Sequence, residues 1–201
     1  METVATYDSR PDTLAHIARV AELLKQCEIE LNERGVAHDE SKLEEPEKST
    51  FDACTARLKA MAYGSDEYKA ALADLKPALY HHYAANSHHP EHVPLFKCVM
   101  CKSILREEET WKPNINDNPP RLCGKCCPNS PIYECEAVPH IGVEGMDLFD
   151  VMEMLMDWKA ATERMKGGGD IRRSLEINRD RFKLSPQLES ILANTIREMG
   201  W

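Results

Sequence analysis

Three groups of residues in this chain carry side chains that bind metal ions. The first is Cys98-Val-Met-Cys101 together with Cys123-Gly-Lys-Cys126. Two such CxxC pairs supply four thiolates, the set that closes a tetrahedral zinc site. The two intervening residues let both sulfurs of a pair reach one ion, and Gly124 relieves the tight turn. Cys127 adjoins Cys126 and could replace it, and Cys135 is a spare thiol. A closed four-cysteine site has no open position for substrate, so its expected role is structural. Eight cysteines also permit four disulfides, but this spacing in an intracellular chain favours metal.

The second group is His38-Asp39-Glu40-Ser41-Lys42, preceded by His16. The third is YHHYAANSHHPEH, which places His81, His82, His88, His89 and His92 within twelve residues. Imidazole and carboxylate are typical ligands of divalent transition metals. His82 and His89 would stand ~10 Å apart on a continuous helix. They can share a small site only if the chain turns near Asn86-Ser87. Asp157 lies in the apolar stretch EMLMDWKAA, where a carboxylate is costly to bury unless paired or metal-bound. With Asp147 and Asp150 it equally describes a solvated acidic stripe.

Helices must position these groups. Leu14, Ile17, Ala21, Leu24 and Leu31 recur at helical spacing, predicting an amphipathic helix over 12–34 with Pro11 at its start and Gly35 past its end. Further helices are expected over 47–62, from 66 to the histidine cluster with Pro77 as a kink or true start, and over 146–165, 170–181 and 186–199. Cys27 and Cys54 then read as buried helix residues. Between them, eight prolines fall from Pro90 to Pro139, and six of the eight cysteines lie in 94–140. That stretch reads as a small module inserted into a helical domain, dividing the chain into 1–93, 94–140 and 141–201.

Hydrophobic residues make up 42% and charged residues 29%, a globular balance, and the net charge is −9. Extended nucleic-acid binding is not expected from so acidic a chain. Within the module, Lys97, Lys102, Arg106, Lys112, Arg121 and Lys125 are matched by Glu107, Glu108, Glu109, Asp117, Glu134 and Glu136, so a lid or interaction surface is the favoured role. The sequence shows no signal-peptide pattern and no membrane span, and a cytoplasmic protein is expected.

The ordered set His16, His38-Asp39, the histidines at 82 to 89, and Asp157 resembles the HD superfamily of metal-dependent phosphohydrolases. HDESK matches its HDxxK form. More closely, HDESK, HHYAANSHHPEH and EMLMDWKAA are similar to an uncharacterised HD-like family common in bacteriophage genomes, which would place the protein in a host cytoplasm. The resemblance implies an all-α fold, an HD-like helical domain carrying a small four-cysteine zinc-ribbon insertion. It implies His16, His38, Asp39 and Asp157 as ligands of one divalent ion (Mn, Fe, Mg, Co or Zn). His82 with His88 or His89 would hold a second ion or supply an acid. Asp39 and Lys42 would be catalytic. Lys42 and Arg19 would meet a substrate phosphate, and Asn86 would orient the turn or touch substrate. The implied activity is hydrolysis of a nucleotide or related small phosphate ester. The alternatives are a non-catalytic HD-like scaffold for a nucleotide or protein, a zinc-ribbon interaction module, and a di-iron oxygenase of HD-like fold.

Overall fold

The helical periodicity becomes six α-helices among the residues that the computed structural model describes, 7–59, 61, 65–113, 119–126, 135–164 and 169–201. The chain forms two units, Met1–His38 and Asp39–Trp201. The first is α1, Arg10–Ala37, with Pro11 in its first turn and an Arg34–Glu30 ion pair at 2.8 Å near its end. It buries none of its residues. Leu14, Ile17 and Leu24 are all more than half exposed, and Cys27, expected inside, is exposed.

In the second unit, α2 (Glu47–Lys59) packs against α3 (Asp66–Ala85). The buried stripe of α3 runs Ala71, Leu75, Ala78 and ends on His82, steps of four, three and four residues that keep one helical face. Among the described side chains of α2, Glu47 and Cys54 are buried, seven apart and so also on one face. Each apolar stripe therefore delivers one polar side chain to the same end of the helix pair. α3 continues through Pro77.

The carboxy-terminal helices α4 (Leu148–Glu163), α5 (Ile171–Arg181) and α6 (Pro186–Glu198) share a core of Met154, Leu155, Trp158, Ile171, Leu175, Phe182, Leu184, Leu192 and Ile196. Trp158 and Phe182 stack with centroids 6.2 Å apart. Ser185 accepts from the Leu188 amide to cap α6. Ile196 is fully enclosed. Ile196→Ala should lower unfolding free energy by about 2–5 kcal/mol, read as a shifted urea midpoint with unchanged slope.

The chain is not all-α. Among the described residues between 95 and 140 five short strands form: β1 Leu95–Cys98, β2 Ile104–Arg106, β3 Thr110–Trp111, β4 Leu122–Cys123 and β5 Ala137–His140. They make an antiparallel sheet ordered β2-β1-β5 and a two-stranded β3-β4 ribbon. Leu95 pairs with both Arg106 and His140. The module's prolines remove backbone donors that a helix needs, and its buried side chains are gathered by strand pairing, both between neighbouring β1 and β2 and across the module from β1 to β5. The fold is mixed α/β and mostly helical. No described helix is long and apolar enough to cross a membrane.

Candidate metal centres

The sulfurs of Cys98, Cys101, Cys123 and Cys126 all lie within 4.8 Å of one another. Cys98 and Cys126 are 3.6 Å apart, and Cys101 and Cys123 are 3.9 Å apart. Zn–S bonds of about 2.3 Å at tetrahedral angles require sulfurs ~3.8 Å apart, so the spacing fits one ion. Both knuckles have local causes. The first turns at Lys102, whose φ of 60° is left-handed, and the Cys101 amide donates to Cys98 Sγ at 3.5 Å. At the second, a Cβ on Gly124 would stand 2.5 Å from the Glu109 carbonyl oxygen, which accepts from the Gly124 amide at 2.9 Å. Gly124 therefore serves a close approach of two backbone segments. Bonds to the Ser103 side chain and backbone pull the Cys101 thiol down to about 6, so it ionises readily. Burial pushes Cys126 up. Cys127 lies outside the described residues, while Cys135 is buried beside Cys98 and Cys123.

The second centre sits at the polar end of the α2–α3 pair. Asp39, His82, His88 and His89 offer ligand atoms that all lie within 4.8 Å of one another. The chain leaves α3 after Ala85 and turns, so His89 Nε2 reaches His82 Nε2 at 2.8 Å. Two neighbours fix that turn. Asn86 donates to the His82 carbonyl at 2.8 Å and to Ser41 Oγ at 2.9 Å. Ser87 donates to Asp150 Oδ1 at 2.6 Å. Asp150 also forms a reciprocal cap with Asp147 at the start of α4. The predicted acidic stripe thus splits, with Asp147 and Asp150 holding the helix start. Asp157 instead has an oxygen within 4.8 Å of one on Asp39.

Asp39 adopts φ 59°, a left-handed conformation that Asp tolerates, and opens the short 3-10 turn Glu40–Leu43. Its Oδ2 accepts from Lys42 Nζ at 2.6 Å, and the lysine also lies over the Phe51 ring, 5.2 Å from the centroid. Its Oδ1 faces His82 Nε2 at 3.1 Å and His88 Nε2 at 3.6 Å. On their far sides both rings meet carboxylates: His82 Nδ1 meets Glu47 at 3.1 Å and His88 Nδ1 meets Glu153 at 2.9 Å. With the proton on Nδ1, where Glu47 and Glu153 can accept it, each neutral ring leaves Nε2 as an acceptor. Two acceptor nitrogens then point at a carboxylate oxygen, an arrangement that a cation completes. Burial, with His88 and His82 beside it, drops His89 to about 3, leaving a neutral imidazole suited to ligation.

The remaining predicted residues are placed as follows. His16 is exposed on α1, and Arg19 on that helix pairs with Glu22 at 2.9 Å. His38 is half-buried and follows the last residue of α1. His81 binds Glu47 at 2.7 Å, and His92 donates to the Tyr83 carbonyl at 3.2 Å. Glu47 and Glu153 were not foreseen. A glutamate in a first helical turn is unexceptional, so Glu47 had no signal. Glu153 had one, since it lies one turn before Asp157 on the same face.

The molecule is therefore a mostly helical protein with a cysteine cluster and a histidine–carboxylate cluster, each able to hold a metal ion. It belongs to a family of unknown function, DUF5662, whose model matches residues 5–107 and 133–198. The matched residues include Asp39, Glu47, His82, His88, His89, Glu153 and Asp157, whereas Cys123 and Cys126 fall in the unmatched stretch. No curated protein and no solved structure matches the chain.

Proposed function

We propose that the histidine–carboxylate cluster binds a divalent ion and hydrolyses a small phosphate ester, with nucleotides as the substrate class, and that the cysteine cluster holds a structural zinc. The resemblance of HDESK, the histidine cluster and Asp157 to HD phosphohydrolases supplies the reaction class. The observation that carries the reading is the convergence of His82 Nε2 and His88 Nε2 on Asp39 Oδ1. Asp39, His82, His88 and His89 would hold the ion, with Asp157 beside them. A bound divalent ion supplies hydroxide from water near neutral pH and polarises a phosphoryl oxygen. The protein's part is orientation. Lys42 fixes one oxygen of Asp39, which turns the other toward the imidazoles. The Lys42 side chain is 32% exposed, so its ammonium also remains open to an incoming phosphate. Asn86 spends its amide on Ser41 and the His82 carbonyl, which supports a role in orienting the turn.

Metal analysis and a phosphate-release screen over a nucleotide panel with Mn²⁺ test the proposal. The expected result is metal in excess of the cysteine-bound zinc and turnover of at least one nucleotide. Metal and nucleotide binding without product would replace the hydrolase with a binding scaffold. Metal at the cysteines alone would sink the centre itself.

A further inference from the structure

We propose that Glu47 is a positioning residue for this centre, a buried carboxylate that commits His82 to bind metal through Nε2. The inference rests on the proposed metal site and adds a residue to it. Glu47 is wholly enclosed at the first turn of α2, yet both its oxygens are engaged. Oε1 meets His81 Nδ1 at 2.7 Å, and Oε2 meets His82 Nδ1 and Ser41 Oγ, each at 3.1 Å. The direction of these bonds is set from outside. Asn86 donates to Ser41 Oγ at 2.9 Å, so the serine hydroxyl is free to point its own proton at Glu47. All three neighbours therefore donate to one carboxylate. Asn86 Nδ2 also lies 3.0 Å from His82 Nδ1, but its two protons go to Ser41 and the His82 carbonyl. In the tautomer that Glu47 favours, His82 therefore carries its proton on Nδ1 and presents its Nε2 lone pair to Asp39 at 3.1 Å and to His89 at 2.8 Å.

Glu153 makes the same contact with His88 Nδ1 at 2.9 Å. Two rings on different chain segments, each backed by its own carboxylate, aim the same nitrogen at the same oxygen. A purely structural role for Glu47, satisfying a buried helix end, requires no such selection of one ring nitrogen. Partners of this kind fix the ring and raise its basicity, and their loss typically costs about 10–100-fold in metal affinity.

The test uses the full chain with zinc supplied to the cysteines, and Mn²⁺ as probe, because thiolates select softer ions. Glu47→Leu should weaken Mn²⁺ binding, followed by electron paramagnetic resonance, by about 10–100-fold. Glu47→Gln should recover most of the loss, since its amide oxygen still accepts from His82 Nδ1 while the half-exposed His81 turns to accept from the amide nitrogen. Long-range ¹H–¹⁵N correlation on wild type without Mn²⁺ should show His82 as the Nδ1–H tautomer. An Nε2–H tautomer there overturns the inference even if the leucine variant does not fold. So does a folded leucine variant that binds Mn²⁺ as tightly as wild type. Wild-type protein that binds no Mn²⁺ instead removes the proposed metal site on which the inference stands.

Discussion

Asp39→Asn should abolish both Mn²⁺ binding at the histidine cluster and phosphate release, while leaving the helical content unchanged. Asparagine is the informative replacement because Asp39 sits at φ 59°. Asn accepts that left-handed backbone at least as readily as Asp, whereas Ala would add strain unrelated to the site. The two oxygens of Asp39 have different duties, one facing Lys42 at 2.6 Å and the other facing His82 at 3.1 Å. An amide has one oxygen and one NH₂ group. If its oxygen turns to Lys42, an N–H faces the imidazoles and blocks the ion. If its oxygen turns to the imidazoles, the NH₂ opposes the lysine ammonium, and the ligand has lost its charge in either case. Removing a residue that supports a ligand already costs about 10–100-fold, so losing the charged ligand itself should cost at least about 100-fold. Mn²⁺ titration, phosphate release and far-ultraviolet circular dichroism read the three parts separately. Unaltered Mn²⁺ affinity in a folded Asn variant would mean that the ion, if bound, lies elsewhere.

The sequence made the donors of this centre legible and their supports illegible. His82 and His89 could meet only if the chain turned at Asn86-Ser87, and the turn is there because Asn86 and Ser87 bond to Ser41 and Asp150. Those bonds span 45 and 63 residues, so no local pattern reveals them. Glu47 illustrates the same limit. Its partner His81 is 34 residues away, and its local context is an ordinary acidic helix start. Capping located the start of α6 at Ser185-Pro186, whereas α1 runs through Gly35, expected past its end, to Ala37. Spacing on α1 identified an apolar side but not whether anything covers it, and Leu14 and Leu24 are each 65% exposed. The all-α expectation failed for a related reason. Strands of two to four residues carry too little alternation to read, and their pairing, such as Leu95 with His140, is set across the whole module.

Cys123→Ser should release the proposed zinc and unfold the 95–140 module while the helical core survives. The module's buried cluster is Cys98, Leu105, Leu122, Cys123, Cys135 and Ala137, so half of that cluster is cysteine. Three strands of three or four residues and a two-residue ribbon bury little apolar surface without them. Fully burying Leu105 and Leu122 supplies only about 1.5–3 kcal/mol each, against a backbone ordering cost of about 1–2 kcal/mol for every residue fixed. A structural zinc supplies about 10–16 kcal/mol at neutral pH, which is the scale required to hold such a module. Serine is nearly the size of cysteine but a poor zinc ligand, so the variant isolates the metal from the packing. The expected readouts are loss of one zinc per chain and new protease cleavage confined to 94–140. Helical dichroism should hardly change, because Met154, Trp158, Phe182 and Ile196 pack in a separate cluster. Chelation of wild type should reproduce the cleavage pattern, and added zinc should reverse it in wild type but not in the variant. A serine variant that keeps its zinc and its protease resistance would assign the four sulfurs to packing alone.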